Sequence, residues 1–593
     1  MTLVRLEVET SGAMDAALDR LAREDALGQV LERRGRMAAF ATENGDVKLD
    51  WSDQVAWALD HPQAIQEVET LAAWIRSRFE HVIWSGMGGS VQAVHALKGL
   101  GLLPSGGLSV HPLDSTDPAA LNRVLREIAG ADDLGARLRS TLMVGVTMGM
   151  TSEEPITHLR WFEELLRAHA VKTPAEHLLV MTLPGSFLDH FAEERGVRRE
   201  SIQLDGKSHI PGRMSAPSTR VFLLPAALSV AGRVRDVLER CQTEFQMRQG
   251  MTAGERTALI GADPFVRVAA WLSAGIDEGR DMVVLDLPER WAPVAPWVEQ
   301  VVEESLGKDG RGLLVFHGQD LTSASLWPDR FTVLRVDEGS GTEVPGRPLA
   351  QLQLATEADS RLAVCARFFS GWNLGVALVG YLQGMTFAGQ PAVEGYKKYA
   401  RLLRDGPGEL PYPTDGLSST STGRLKLFSG AAPVANLDGR RLDAGTVLAA
   451  VVRSLQAENR LDYFDLTVNA EPAGPLWDAA QRAGMRFGNW VLRRPAKIRS
   501  GPRDYHSTEQ SETAGPPGVL SLRILVNEHE PVTAGDYNSR FLHAQALGTL
   551  FAMRDASRPV LLATVSREDG GQSVTDLLED ATARLEAAPS LHG

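Results

Sequence analysis

The chain has 593 residues, 44% hydrophobic and 23% charged, enough for two or three globular domains with sizeable cores. Its two cysteines, Cys241 and Cys365, exclude a disulfide framework and a multi-cysteine metal site and suit a reducing cytosol. A net charge of −14 disfavours a nucleic-acid surface, although a local basic pocket could still hold an anion. No uninterrupted apolar run approaches the ~20 residues of a membrane span, and the start, MTLVRLEVET, lacks the basic and apolar regions of a signal peptide. The expectation is a cytoplasmic protein with neither a nucleic-acid nor a membrane partner.

Met14 to Ala58 is rich in Ala, Leu, Arg and Glu and predicts helices, split by a turn signal at Asn44 and Gly45. Beyond it Trp51, Val55 and Leu59 recur at helical spacing and would share an apolar face. Strand-like runs at His81 to Trp84, Leu108 to Val110, Thr141 to Val146, His177 to Met181 and Val221 to Leu224 then alternate with helix-compatible stretches such as Asp117 to Ile128 and Pro155 to Ala168. That alternation predicts a parallel sheet with helices on both faces. MVVLDLP at 282–288, GLLVFHG at 312–318 and RFTVLRV at 330–336 repeat the pattern. Two such sheets would make a crevice at the carboxyl ends of their strands.

Past Arg404, GPGELPYPTDGLSSTSTG predicts an exposed connection. DYFDLTVNA, VLSLRILVN and RPVLLATV then read as strands, and PLWDAAQRAGMRF and SRFLHAQALGTLFAM as helices. Between them RSGPRDYHSTEQSETAGPPG reads as irregular and surface-placed. The fold class expected is α/β: an N-terminal helical segment over 1–50, two doubly wound parallel-sheet domains over 51–240 and 241–405, and a C-terminal α/β portion over 406–593.

The first chemical signal is HVIWSGMGGSVQAVHALKG, from His81 to Gly99: an apolar run, a loop with glycines at 86, 88 and 89 and a serine at 90, then a helix-compatible stretch. Such a loop lets backbone approach a ligand, and the helix that follows offers unpaired N–H groups to an anion. By itself it could equally be a tight connection, and the GxGGS spacing is not that of a dinucleotide site.

Three further segments accompany it: KSHIPGRMSAPS from Lys207, EQVVEESLGKDG from Glu299 and GQPAVEGYKK from Gly389. Together with GMGGS they resemble the phosphoglucose isomerase family, whose members carry GxGGS, a GR pair, Q-x-x-x-E-S-x-G-K and Q-x-G-V-E-x-x-K, in that order. Gln300 stands four before Glu304 and Gln390 seven before Lys397, as in the family, while Ala392 replaces a family glycine. GPRDYHSTEQ followed by HAQALGTLFAM resembles the subgroup fused to a transaldolase. The resemblance runs from about residue 50 to about residue 570. It implies sugar-isomerase (SIS-type) domains, an aldose-ketose isomerase acting on glucose 6-phosphate and fructose 6-phosphate, and a homodimer with the site near the interface.

Moving a carbonyl from C1 to C2 of a sugar needs ring opening, proton removal beside the carbonyl, stabilisation of the enediolate and proton return, and one carboxylate can shuttle the proton. Glu304 matches the family's base; without that match, a glutamate beside Glu303 and Lys308 reads as a solvated helix end. Gln300, one turn earlier, would lie on the same face and orient substrate. Arg213, after Gly212, matches the arginine that stabilises the enediolate. Lys397 matches a lysine that assists ring opening. Gly89, Ser90, Thr147, Thr151, Ser152, Gly212 and Gln390 complete the expected substrate contacts. No histidine and carboxylate set has metal-ligand spacing, so the expected mechanism uses neither metal nor cofactor, as the family implies.

Two departures stand out. The family's S-K-x-x-T-T loop reads TMGMTS here, with Met148 where the lysine should be. The fused subgroup's HSTGQLHKGG reads HSTEQSETAG, so its first histidine is kept as His506 and its second falls at Glu512. Ring opening would then use His506, Glu512 or water. The missing charge also opens the reading of an isomerase for another C6-anionic hexose, such as a 6-sulfonated sugar, since a sulfonate carries one negative charge where phosphate carries nearly two. A third reading is a non-catalytic sugar-phosphate-binding protein on the same fold, against which Glu304, Arg213 and Lys397 together argue.

Overall fold

A computed structural model of the chain describes residues 2–104, 106–412, 418–419, 425–429, 443–527, 531–532 and 537–587. Strand β1 (Val4–Val8) opens the chain, followed by helices Gly12–Arg23, Ala26–Leu31 and Gly35–Phe40 and a hairpin of β2 (Thr42–Glu43) and β3 (Asp46–Val47). The turn foreseen at Asn44 and Gly45 is the tip of this hairpin; both residues have positive φ, 51° and 88°, the geometry an Asn-Gly turn favours.

The first sheet contains β4 (His81–Ser85), β5 (Ser109–Leu113), β6 (Thr141–Val146), β7 (Leu178–Thr182) and β8 (Arg198–Ser201), all parallel, in the order β5-β4-β6-β7-β8. Residues alternate between its faces: Val82, Trp84, Val144 and Met181 enter the central core, while Ile83, Met143 and Val180 pack against Leu121 and Phe162 of the helices Pro118–Ala129 and Glu154–Ala168. The strand order reverses direction between β4 and β6, which puts the crevice of such a sheet at their carboxyl ends. Those ends carry the glycine loop and the TMGMTS loop.

The second sheet consists of β9 (Met282–Asp286), β10 (Leu314–His317), β11 (Phe331–Val336) and β12 (Leu349–Leu354), parallel and ordered β10-β9-β11-β12. N-terminal β1 extends it antiparallel to β12. The third sheet has β13 (Ser418–Ser419), β14 (Leu425–Ser429), β15 (Tyr463–Asn469), β16 (Ala496–Gly501), β17 (Val519–Val526) and β18 (Val560–Val565), of which the last four are parallel in the order β16-β15-β17-β18. It has its own core, and Leu525 and Leu562 also pack with Phe316 and Phe331 of the second sheet. The chain is thus an α/β protein with two parallel-sheet units and a C-terminal α/β portion, as its strand and helix alternation implies.

Several expectations change. Val221 to Leu224 is not a strand but part of a helix, Arg220–Val230, started by Thr219, whose side chain accepts from the Val221 N–H. A short apolar run buried on every side has no periodicity to tell the two apart. The helix ending at Gln383 is long and apolar enough by composition to cross a bilayer, but its apolar run is interrupted at Arg367, which pairs with Asp263, and it is buried inside the fold. Residues 499–518 are not at the surface. β16 ends at Gly501, and Tyr505, His506 and the helix Glu509–Ala514 lie largely buried, because the charges of the segment find partners there. The exposed connection expected over 406–423 falls partly outside the described residues, while 406–409 are half-buried to exposed turns.

Candidate active site

The loops after β4 and β6 face a cleft of about 580 Å3. Every residue expected to carry chemistry in the family's pattern lines it: Glu304, Arg213, Lys397, His506, Gly89, Ser90, Thr147, Thr151, Ser152, Gly212, Gln300 and Gln390. The first sheet supplies strand ends, as expected for a crevice. The second does not: Glu304 sits in the last turn of the helix Ala295–Leu306, ahead of β10.

Two backbones meet at the floor. A Cβ on Gly89 would lie 2.1 Å from the carbonyl oxygen of Gly212, so only glycine permits this approach. The Ser215 hydroxyl donates to the Gly89 carbonyl at 3.0 Å, and the Trp84 indole to that of Ser90 at 2.9 Å, which fixes the loop from both sides. Across the cleft, the Gly149 N–H donates to the Thr147 hydroxyl at 3.1 Å, and the Glu154–Ala168 helix begins just beyond. This rim of hydroxyls and N–H groups at a helix start is suited to an anion.

Arg213, 2% exposed, holds its guanidinium through a set of fixed acceptors. Its Nε donates to Ser305 Oγ at 2.7 Å, Nη2 to the Phe387 carbonyl at 2.6 Å, and Nη1 to Glu304 Oε1 at 3.2 Å and Gln390 Oε1 at 3.4 Å. Gln300 Nε2 donates to the other Glu304 oxygen at 2.8 Å and to the His506 carbonyl at 3.2 Å, bearing out the shared helix face. Gln300 Oε1 is buried with no hydrogen-bond partner among the described residues, an acceptor left for something in the cleft. Burial pushes the Glu304 carboxyl above its ordinary value, with Arg213 the strongest opposing influence. Glu304 is therefore a buried carboxyl paired with Arg213 and Gln300, not a solvated helix end.

His506 comes from the turn after β16, so the third sheet contributes to the same cleft. Its Nε2 lies 2.7 Å from Glu154 Oε1, which also accepts from Gln545 Nε2 at 2.9 Å. Burial opposes the Glu154 charge, but His506 prevails through its charge and hydrogen bond and brings that carboxyl down to about 2. Lys397 Nζ donates to Glu394 Oε1 at 2.8 Å, while its neighbour Lys398 is exposed.

Glu512, the other expected candidate for ring opening, is not brought to the cleft. It is paired with Arg499 and, at 2.7 Å, with Arg523 Nη2. Two further residues at or beside the cleft have no counterpart among the expected ones. Glu154 follows the loop read as TMGMTS, and its signal was the Glu-Glu-Pro start of a helix at 153–155. Lys48, from the chain just after the N-terminal hairpin, enters the cleft with no local signal that could have announced it.

No family model matches the chain. It is 28% identical over 371 residues to a glucose-6-phosphate isomerase of Parasynechococcus marenigrum, covering 55% of this chain and 63% of that one. It is 31% identical over 255 residues to one of Synechococcus sp. JA-3-3Ab (41% and 44%), and 34% over 216 residues to one of Thermosynechococcus vestitus (36% and 37%). The chain thus spans between about a third and under two thirds of these curated relatives' length. In fold it resembles a hypothetical protein of Thermus thermophilus, with a TM-score of 0.54 at 21% identity over 68% of this chain and all of that one. It also resembles a glucose-6-phosphate isomerase of Chlamydia trachomatis, with a TM-score of 0.53 at 14% identity over 67% and 87%. Fold and cleft define an α/β protein with two parallel-sheet units around a crevice suited to an anion. By sequence, the chain is similar to glucose-6-phosphate isomerases, and one solved structure of that name shares its fold.

Proposed function

We propose that this chain interconverts glucose 6-phosphate and fructose 6-phosphate, moving a proton between C2 and C1 through Glu304. The observation that carries this is the buried Glu304 carboxylate 3.2 Å from the buried Arg213 guanidinium, on the wall of a cleft whose opposite rim suits an anion. The sugar's C6 phosphate would lie against Ser90 and the Thr147, Thr151 and Ser152 loop, with C1 and C2 toward Glu304. His506, held by Glu154, would move the ring-oxygen proton during opening, and Lys397 would assist. Glu304 would then take the C2 proton of the open aldose and return it at C1. Arg213 would stabilise the negative charge that develops on oxygen in the enediolate. Gln300 and Gln390 would orient the hydroxyls. The names of the relatives support the same substrate pair. The proposed setting is cytoplasmic hexose-phosphate metabolism, glycolytic or gluconeogenic, with the protein as a homodimer as the resemblance implies.

A second substrate is favoured by one observation, the uncharged Met148 in the anion loop: another C6-anionic hexose, such as a 6-sulfonated sugar. A coupled assay of the purified protein on glucose 6-phosphate, mannose 6-phosphate and 6-sulfoglucose tests both. Turnover of glucose 6-phosphate with the highest kcat/KM supports the first substrate, and preference for the sulfonated sugar supports the second. Turnover of none leaves the non-catalytic binding reading.

A further inference from the structure

Among the described residues, three cationic side chains of Lys and Arg line the cleft: Arg213, Lys397 and Lys48. Arg213 is engaged with Glu304, Ser305 and Phe387, and Lys397 with Glu394. Lys48 differs. Its side chain is 13% exposed, and its Nζ donates to the neutral Ser208 carbonyl at 2.8 Å and, among the described carboxylates, pairs only with Asp46, at 3.2 Å. Asp46 is 51% exposed, and an ion pair that open to water contributes little.

The position of Lys48 is fixed by its surroundings. Its N–H donates to the Ala41 carbonyl at 2.9 Å, and its own carbonyl accepts from the Trp51 indole at 3.2 Å. Two residues on, the Asp50 N–H donates to the His209 carbonyl at 3.4 Å. Lys48 is thereby tied to the segment 208–212, which runs along the cleft wall to Gly212. A Cβ on Gly212 would lie 3.5 Å from Met148 Cβ, so this is the side of the cleft on which the uncharged Met148 sits.

We propose that Lys48 is the cation of the anion subsite, donating to the C6 phosphate from the N-terminal hairpin and doing the work that a lysine at position 148 would otherwise do. The proposal rests on the functional reading above and deepens it, because it makes the site fit for a dianion despite Met148. A charge-assisted bond to phosphate replaces the carbonyl contact, and Asp46 can turn into water as it forms.

The test uses Lys48→Met and the double variant Lys48→Met/Met148→Lys, with thermal melts to show that each folds. Binding of inorganic phosphate, read by titration calorimetry, and KM for glucose 6-phosphate should each weaken about ten-fold in Lys48→Met, with kcat changed much less, the size of one charge-assisted bond. The double variant should recover most of both. Phosphate affinity and KM unchanged in a folded Lys48→Met, or a wild type that binds no phosphate, would overturn the proposal. Failure of the functional reading looks different: wild type would bind phosphate in a Lys48-dependent way yet turn over none of the sugars.

Discussion

His506 Nε2 lies 2.7 Å from Glu154 Oε1 although 352 residues separate the two in the chain; both side chains are buried, and His506 lines the cleft. In the proposed reaction the pair acts as a unit, the carboxylate fixing the orientation of the imidazole through this hydrogen bond. His506→Ala should lower kcat by ~100-fold, the lower end of the range for a general acid or base. Glu154→Gln should lower it less, and the double variant should be no worse than His506→Ala alone. Losses that multiply across the two single variants would show that they act independently.

Arg213 and Glu304 make the second prediction. Protonation removes the base, so kcat must fall as pH drops. Because burial raises the Glu304 carboxyl above its ordinary 4.5, the fall should begin above that pH. Following kcat at saturating substrate keeps the substrate's own phosphate ionisation, near roughly pH 6, from mimicking the effect. Activity that stays level down to pH 4.5 would remove Glu304 from the role.

Arg213→Ala should act chiefly on kcat, since the guanidinium is aimed at charge that develops during reaction. It should also lower stability by about 3–5 kcal/mol, because Glu304 stays buried after its partner is gone. A change confined to KM would contradict the assignment.

Gly89 and Gly212 make a steric prediction. Gly89→Ala puts a methyl 2.1 Å from the Gly212 carbonyl oxygen and 2.2 Å from its carbon, so the loop carrying Ser90 must separate from the turn carrying Arg213. A displacement near 1 Å is enough for about a hundred-fold loss in kcat/KM. Gly212→Ala meets only Met148 Cβ, at 3.5 Å, and should be tolerated. Equal effects of the two substitutions would show that the close approach is unimportant.

Much of this was legible in the primary structure, and what was not has physical reasons. Gln300, Glu304, Gln390 and Lys397 were readable through the resemblance, whose motif spacings they keep, and the cleft does gather them. His506 was readable only as a loop residue: the charges of 499–512 suggest solvent, and nothing local reveals that Arg499 and Arg523 neutralise Glu512 inside the fold. Glu154 was hidden because its partner is 352 residues away. Lys48 was hidden because its role depends on where a two-strand hairpin docks. The Arg220–Val230 helix was misread because complete burial erases the amphipathic signal.

The most direct test of the account is isomerisation in D2O by wild type and Glu304→Gln, following interconversion of glucose 6-phosphate and fructose 6-phosphate together with deuterium entry at the transferred position. The wild type should interconvert the two sugars with some solvent deuterium incorporated. Glu304→Gln should lose both activities by roughly a hundred to ten thousand fold while melting as a folded protein. A wild type that converts neither sugar, or a Glu304→Gln variant that keeps more than about a tenth of the wild-type rate, would contradict it.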